Sequence, residues 1–91
     1  MSEAKSTGKV RAEVNILIGA RAALRLTQAE LAAAAGVDLG TLNALENGRK
    51  KTREDVRAKV QAALERRGVV FTNGEKPGFH LATDGKILPV V

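Results

Sequence analysis

From Val10 to Arg25 the apolar positions fall on a helical step. Val14, Leu17, Arg21 and Leu24 recur three and four residues apart, the spacing of one helix face. Ile16 and Ile18 lie off that stripe. This helix is therefore more apolar than one buried face needs. Either a second surface covers it or it lies in a subunit interface. Thr27, with Glu30 three residues on, forms a capping box and predicts a second helix through Leu31 to Ala35. Gly36 follows, where a left-handed turn residue is expected. Asp38 is the expected cap of a third helix holding Thr41, Leu42 and Leu45, which Asn47-Gly48 ends. Thr52 with Asp55 makes another capping box. The fourth helix then carries Val56, Val60, Ala63 and Leu64 on one face and stops at Gly68. Arg66 and Arg67 sit at its C-terminal end, where the helix dipole favours cations.

After Gly68 the pattern changes. "VVFT" reads as a strand, "NGEKPG" as a loop and "FHLA" as a second strand. Asp84-Gly85 is a strong hairpin turn signal, and "KILPVV" reads as a third strand that Pro89 confines to an edge. Such a hairpin is marginal alone and must pack on the helices or pair with another chain. The polar residues 1–9 read as a disordered arm carrying Lys5 and Lys9. The expected organisation is an arm over 1–9, a helical domain over 10–68 and a strand extension over 69–91.

Composition narrows the choices. A chain of 91 residues with 44% hydrophobic residues suffices for one small domain. Its core must be aliphatic, since Phe71 and Phe79 are the only aromatics. The net charge of +5 favours an acidic partner, nucleic acid first and an anionic membrane second, against a soluble protein that is merely basic. Without cysteine there is no disulfide framework and no thiolate zinc site. No apolar run reaches membrane-span length, and the polar start lacks a signal-peptide core, so a cytoplasmic protein without a membrane role is expected.

Catalysis is not expected. His80 is the single histidine and falls in a predicted strand, while Ser2 and Ser6 are the only serines and fall in the arm. No Ser/His or Cys/His arrangement can be built from them. No metal-ligand spacing, phosphate-binding loop or aromatic stacking platform is present either, so no cofactor or metal is expected.

The segment "LTQAELAAAAGVDLGTLNALENGRK" resembles the phage-repressor and Cro-like (XRE-type) helix-turn-helix regulators over roughly residues 12 to 68. "TQAELA" opens the second helix in their style, "AGV" makes the turn, and "ENGRK" leads out of the third helix. The resemblance implies a four- to five-helix repressor-like domain, and with the strands read after Gly68 the expected fold is mainly α with a short C-terminal β-hairpin. It also implies a sequence-specific DNA-binding regulator, a repressor acting as a homodimer on a two-fold operator, with the third helix in the major groove of double-stranded DNA. By this resemblance Thr27 and Gln28 lie at a phosphate, with a solvent-facing first-turn glutamine as the plainer reading of Gln28. Asn47 and the basic Arg49, Lys50 and Lys51 add further phosphate contacts, where the plainer reading is a solvated loop. Arg21 and Glu46 match a structural salt bridge, and an arginine on the apolar stripe needs such a partner.

The implied base-reading positions are Leu39, Gly40, Thr41, Asn43 and Ala44. Only Thr41 and Asn43 offer useful hydrogen bonds, Asn43 being able to pair with adenine in a bidentate way. So lean a face leaves two explanations: DNA binding helped by phosphates, DNA shape and a second subunit, or a fold kept for protein contact. The surplus apolar residues Ile16 and Ile18, together with Val69, Val70, Phe71, Phe79 and Leu81, are the expected self-association elements. The alternatives are the antitoxin of a toxin–antitoxin pair, with a toxin or other regulator as protein partner, and an interaction module without DNA reading.

Overall fold

The computed structural model describes residues 10–48, 53–72 and 77–82. Among them the order is α1 (Val14–Ala23), α2 (Gln28–Ala35), α3 (Leu39–Asn47), α4 (Glu54–Arg66), β1 (Val69–Thr72) and β2 (Gly78–Leu81). The arm over residues 1–9, the Arg49–Lys51 loop, Thr52, the Asp84-Gly85 turn and the third strand lie outside the described residues.

The helices enclose one aliphatic core. Leu31 and Leu42 are completely buried, and so are Ala20 and Leu64. Full burial of a leucine side chain contributes about 1.5–3 kcal/mol. The alanines of α2 add little volume, so the neighbouring helices approach it closely; Ala32 is core, with Ala34 and Ala35 packed against it.

Helix α1 is shorter than the periodicity predicts. It starts at Val14 rather than Val10, because the backbone of Val10 and Ala12 is bound to side chains of α4 instead of entering a helical ladder. The Gln61 side chain accepts from Ala12 N–H at 2.9 Å and donates to the Val10 carbonyl at 2.6 Å. Arg57 donates to the Ala12 carbonyl at 3.0 Å and to Gln61 Oε1 at 2.6 Å. Arg57 and Gln61 are nearly inaccessible to solvent, so this network satisfies polar groups that would otherwise be costly to bury. At its other end α1 stops after Ala23, and Arg25 takes a left-handed φ of 60°. That conformation strains a residue with a Cβ. Arg25→Gly is expected to raise stability by about 0.5–1 kcal/mol, read as the midpoint shift in urea unfolding.

Helix α4 opens at Glu54, one residue later than a Thr52–Asp55 capping box implies. Arg53 holds the N-cap position without a side-chain cap bond. The Asp55 carboxylate instead accepts from the Arg53 guanidinium, at 3.3 Å from Nε and 3.1 Å from Nη2. Glu54 accepts from Arg57 and from Arg11. Those bonds, Arg57's first, hold its carboxyl down to about 2 from an ordinary 4.5. A carboxyl held low in the folded state adds stability that is present in full above pH 4.5 and is lost as the pH falls towards 2. Wild-type stability should therefore fall more steeply across that window than stability of Glu54→Gln, measured by denaturant titration at each pH.

The strands pair antiparallel, with Val69 opposite Leu81, Val70 opposite His80 and Phe71 opposite Phe79. The second strand begins at Gly78, one residue before "FHLA". Alternation along β1 turns Val69 and Phe71 inward, 2% and 5% exposed, and leaves Val70 outward. Two of the expected self-association residues are thus core residues of the chain itself. Their side chains fill the space beside α4 and are withdrawn from any partner's surface. The outer β2 strand packs on α1, where Phe79 lies so close to Gly19 that a Cβ there would come within 3.4 Å of its ring. This covers part of the apolar surplus of α1 from within the chain. Ile16 is partly buried against the core, and Ile18 is half-buried.

Candidate functional site

Helices α2 and α3 are set by three local devices. The capping box at the start of α2 is complete: Thr27 Oγ1 accepts from Glu30 N–H at 3.0 Å, and Glu30 Oε1 accepts from Thr27 N–H at 2.9 Å. The turn rests on Gly36 at a φ of 73°, a conformation that costs glycine nothing. There Val37 N–H closes back on the Ala32 carbonyl at 3.0 Å. Asp38 caps α3 through Thr41 N–H at 3.4 Å and also accepts from the Thr41 hydroxyl at 3.1 Å.

Leu42 and Leu45 anchor the inner side of α3 in the core. The helical period then places other residues outward. Leu39 is 49% exposed, Gly40 and Asn47 are exposed, and Thr41, Asn43 and Ala44 are half-buried. An exposed leucine at the first position of a short helix contributes little to its own fold. Among the described residues Gly40 has only the Asp38 carboxylate near the place a Cβ would occupy, at 3.7 Å. This end of α3 can therefore approach another surface closely.

A line of polar side chains runs from α1 across α2 to the end of α3. Arg21 donates to Glu46 from two nitrogens, Nε to Oε2 at 2.8 Å and Nη2 to Oε1 at 2.9 Å. Its third nitrogen binds the Leu26 carbonyl at 2.9 Å. The pair is largely shielded, with the side chains 18% and 8% exposed, so its geometry has to be good to offset desolvation. Gln28 Nε2 also donates to Glu46, at 2.9 Å. Asn43 donates to Gln28 Oε1 at 3.2 Å, and Asn47 donates to Asn43 Oδ1 at 3.1 Å.

The structure thus brings Arg21, Gln28, Asn43, Glu46 and Asn47 into one network. Thr27 adjoins it at the α2 N-terminus, where its hydroxyl oxygen accepts from Glu30 N–H in the cap. Arg49, Lys50 and Lys51 lie outside the described residues. Sequence reasoning missed Arg57 and Gln61. Their spacing of four residues beside the Val56–Val60 stripe puts them on the edge of the buried face, and that was the available signal.

Among the described residues no group of three His, Asp or Glu side chains is placed to hold a metal ion. None of their helices is long and apolar enough to cross a membrane. No curated protein matches the chain. A helix-turn-helix family model matches residues 18–66, more than half of the chain and the whole of the α2–α3 unit. That family is one of DNA-binding regulators rather than enzymes. The capped helix pair, the Gly36 turn, the Arg21–Glu46 bridge and this match agree, and the chain belongs to the Cro/CI-like, XRE-type helix-turn-helix family of DNA-binding regulators.

Proposed function

We propose that the protein is a transcriptional repressor that binds a two-fold operator as a homodimer, with α3 in the major groove. The observation that carries this is the α3 surface: an exposed start at Leu39 and Gly40, and an end at Asn47 joined by side-chain amides to Gln28 at the head of α2. Leu39 and Ala44 offer apolar contact to thymine methyls. The Thr41 hydroxyl, held by Asp38, faces the groove beside them. Thr27, Gln28, Asn47 and the Arg49–Lys51 loop hold phosphates, which fix register without reading sequence. Because hydrogen-bonding side chains are few on this face, phosphate contacts, DNA shape and a second subunit supply much of the binding.

Dimerisation follows from the small footprint of one helix. Val70, 39% exposed on the outer face of β1, is the main apolar residue of the hairpin left for a partner. Ile18 and Leu81 are half-buried at its margins. Footprinting on the DNA upstream of the protein's own gene tests the proposal. Two related half-sites about 34 Å apart centre to centre, or a multiple of that, are expected; a single asymmetric protected segment would refute the dimer. Lys50→Ala is expected to weaken binding to every duplex alike and to reduce the salt dependence by about one counterion, measured by titration at several salt concentrations.

A further inference from the structure

The Asn43 amide joins α3 to α2 through its nitrogen and takes a bond from within α3 through its oxygen. The chain of bonds starts at Glu46, whose carboxylate oxygens take N–H bonds from Arg21 at 2.8 and 2.9 Å. An ionised carboxylate only accepts, so Gln28 must turn its NH2 group to Glu46 and its carbonyl away. That carbonyl requires a donor, which fixes the Asn43 NH2 group towards Gln28. The Asn43 carbonyl is then turned to Asn47 and accepts from its NH2 group. The three amides therefore point one way along the line, with the direction set at one end by the Arg21–Glu46 pair. Among the described residues each amide nitrogen donates one bond and keeps a second hydrogen to donate.

We propose that Asn43 is a positioning residue for DNA binding: it locks Gln28, at the head of α2, and Asn47, at the end of α3, so that their remaining N–H groups meet phosphate oxygens. This rests on the DNA-binding reading above and moves Asn43 out of the base-reading set. Two observations favour it. Phosphate oxygens only accept, and the line presents donors. Bidentate pairing with adenine needs Oδ1 and Nδ2 of Asn43 turned together to one base edge, whereas each already bonds a different side chain of the protein, Nδ2 to Gln28 and Oδ1 to Asn47. Asn43 thus contributes affinity and leaves sequence choice to Leu39, Gly40, Thr41 and Ala44.

The test is a set of binding titrations by fluorescence anisotropy. The probes are the duplex upstream of the protein's own gene and a series of its single-base-pair variants. Asn43→Ala is expected to weaken binding about three- to tenfold on every duplex, the size of one or two lost hydrogen bonds, with the ratios between duplexes unchanged. In a Gln28→Ala/Asn47→Ala background the same substitution should change affinity by less than about twofold, because its effect passes through those residues. Asn43→Ser, too short to span Gln28 and Asn47, should follow Asn43→Ala and serves if the alanine variant fails to fold. Loss of discrimination at one particular base pair would make Asn43 a reader and overturn the proposal. So would an undiminished effect in the double-substituted background. If the wild-type protein binds none of the duplexes, the DNA-binding reading itself fails, and that outcome is distinct from both.

Discussion

Arg21→Ala is expected to lower the stability of the domain by about 3 kcal/mol, at the lower end of the range for breaking a buried ion pair because Arg21 keeps some exposure. Among the described residues the substitution leaves the Glu46 carboxylate, 8% exposed, with Gln28 as its remaining side-chain donor. It also strips the Leu26 carbonyl of its bond at the α1–α2 corner. For a domain of this size the loss corresponds to a fall of roughly 12–24 °C in Tm, measured by thermal unfolding followed by circular dichroism. Replacing both partners, Arg21→Met with Glu46→Met, should recover most of the stability, since a buried pair exchanged for apolar packing is often neutral. It should not recover DNA affinity, because Gln28 will have lost the acceptor that orients it. A single-variant loss of under 1 kcal/mol would show that the pair is merely a surface bridge.

Phe71→Ala is expected to cost about 3–4 kcal/mol, the usual penalty for truncating a buried aromatic ring. The ring is 5% exposed and belongs to the core shared by α4 and the strands. The loss should be the same at two protein concentrations a hundredfold apart, because the ring packs within its own chain. Val70→Ala, on the outer face of the same strand, should leave chain stability within about 0.5 kcal/mol. If Val70 meets a second subunit, its effect appears only as a concentration-dependent midpoint. A Phe71→Ala cost that disappears at high concentration would place the ring in an interface instead.

These two residues mark what the sequence can and cannot show. The capping box at Thr27 and Glu30, the glycine turn at Gly36 and the Asp38 cap are local chemistry, with signals confined to a few neighbouring residues. All three helix boundaries they set are found in the structure. Arg21 stood out because a charge on an apolar stripe demands a partner, and the resemblance supplied Glu46. Residues 10–13 were illegible for the opposite reason. Their helical pattern is overridden by bonds to Arg57 and Gln61, 45 to 51 residues away along the chain, and periodicity carries no record of such distant partners. The hairpin was legible as strands but not in its destination. A strand with alternating apolar residues can bury them against its own helices or against another chain. Gly19, which lets Phe79 approach α1, decides for the former on one side. In the same way, the amide line from Gln28 to Asn47 depends on how two helices cross, so Asn43 could be placed on the outward face but not assigned its bonds.

Whether this chain reads a DNA sequence is decided by anisotropy titration of the protein on the duplex upstream of its own gene, with a scrambled duplex as competitor, at two salt concentrations. Phosphate contacts alone lose affinity steeply with salt and ignore sequence. Tighter binding to the native duplex is expected, with a preference that survives the higher salt. Equal affinity for both duplexes, vanishing together as salt rises, would contradict it.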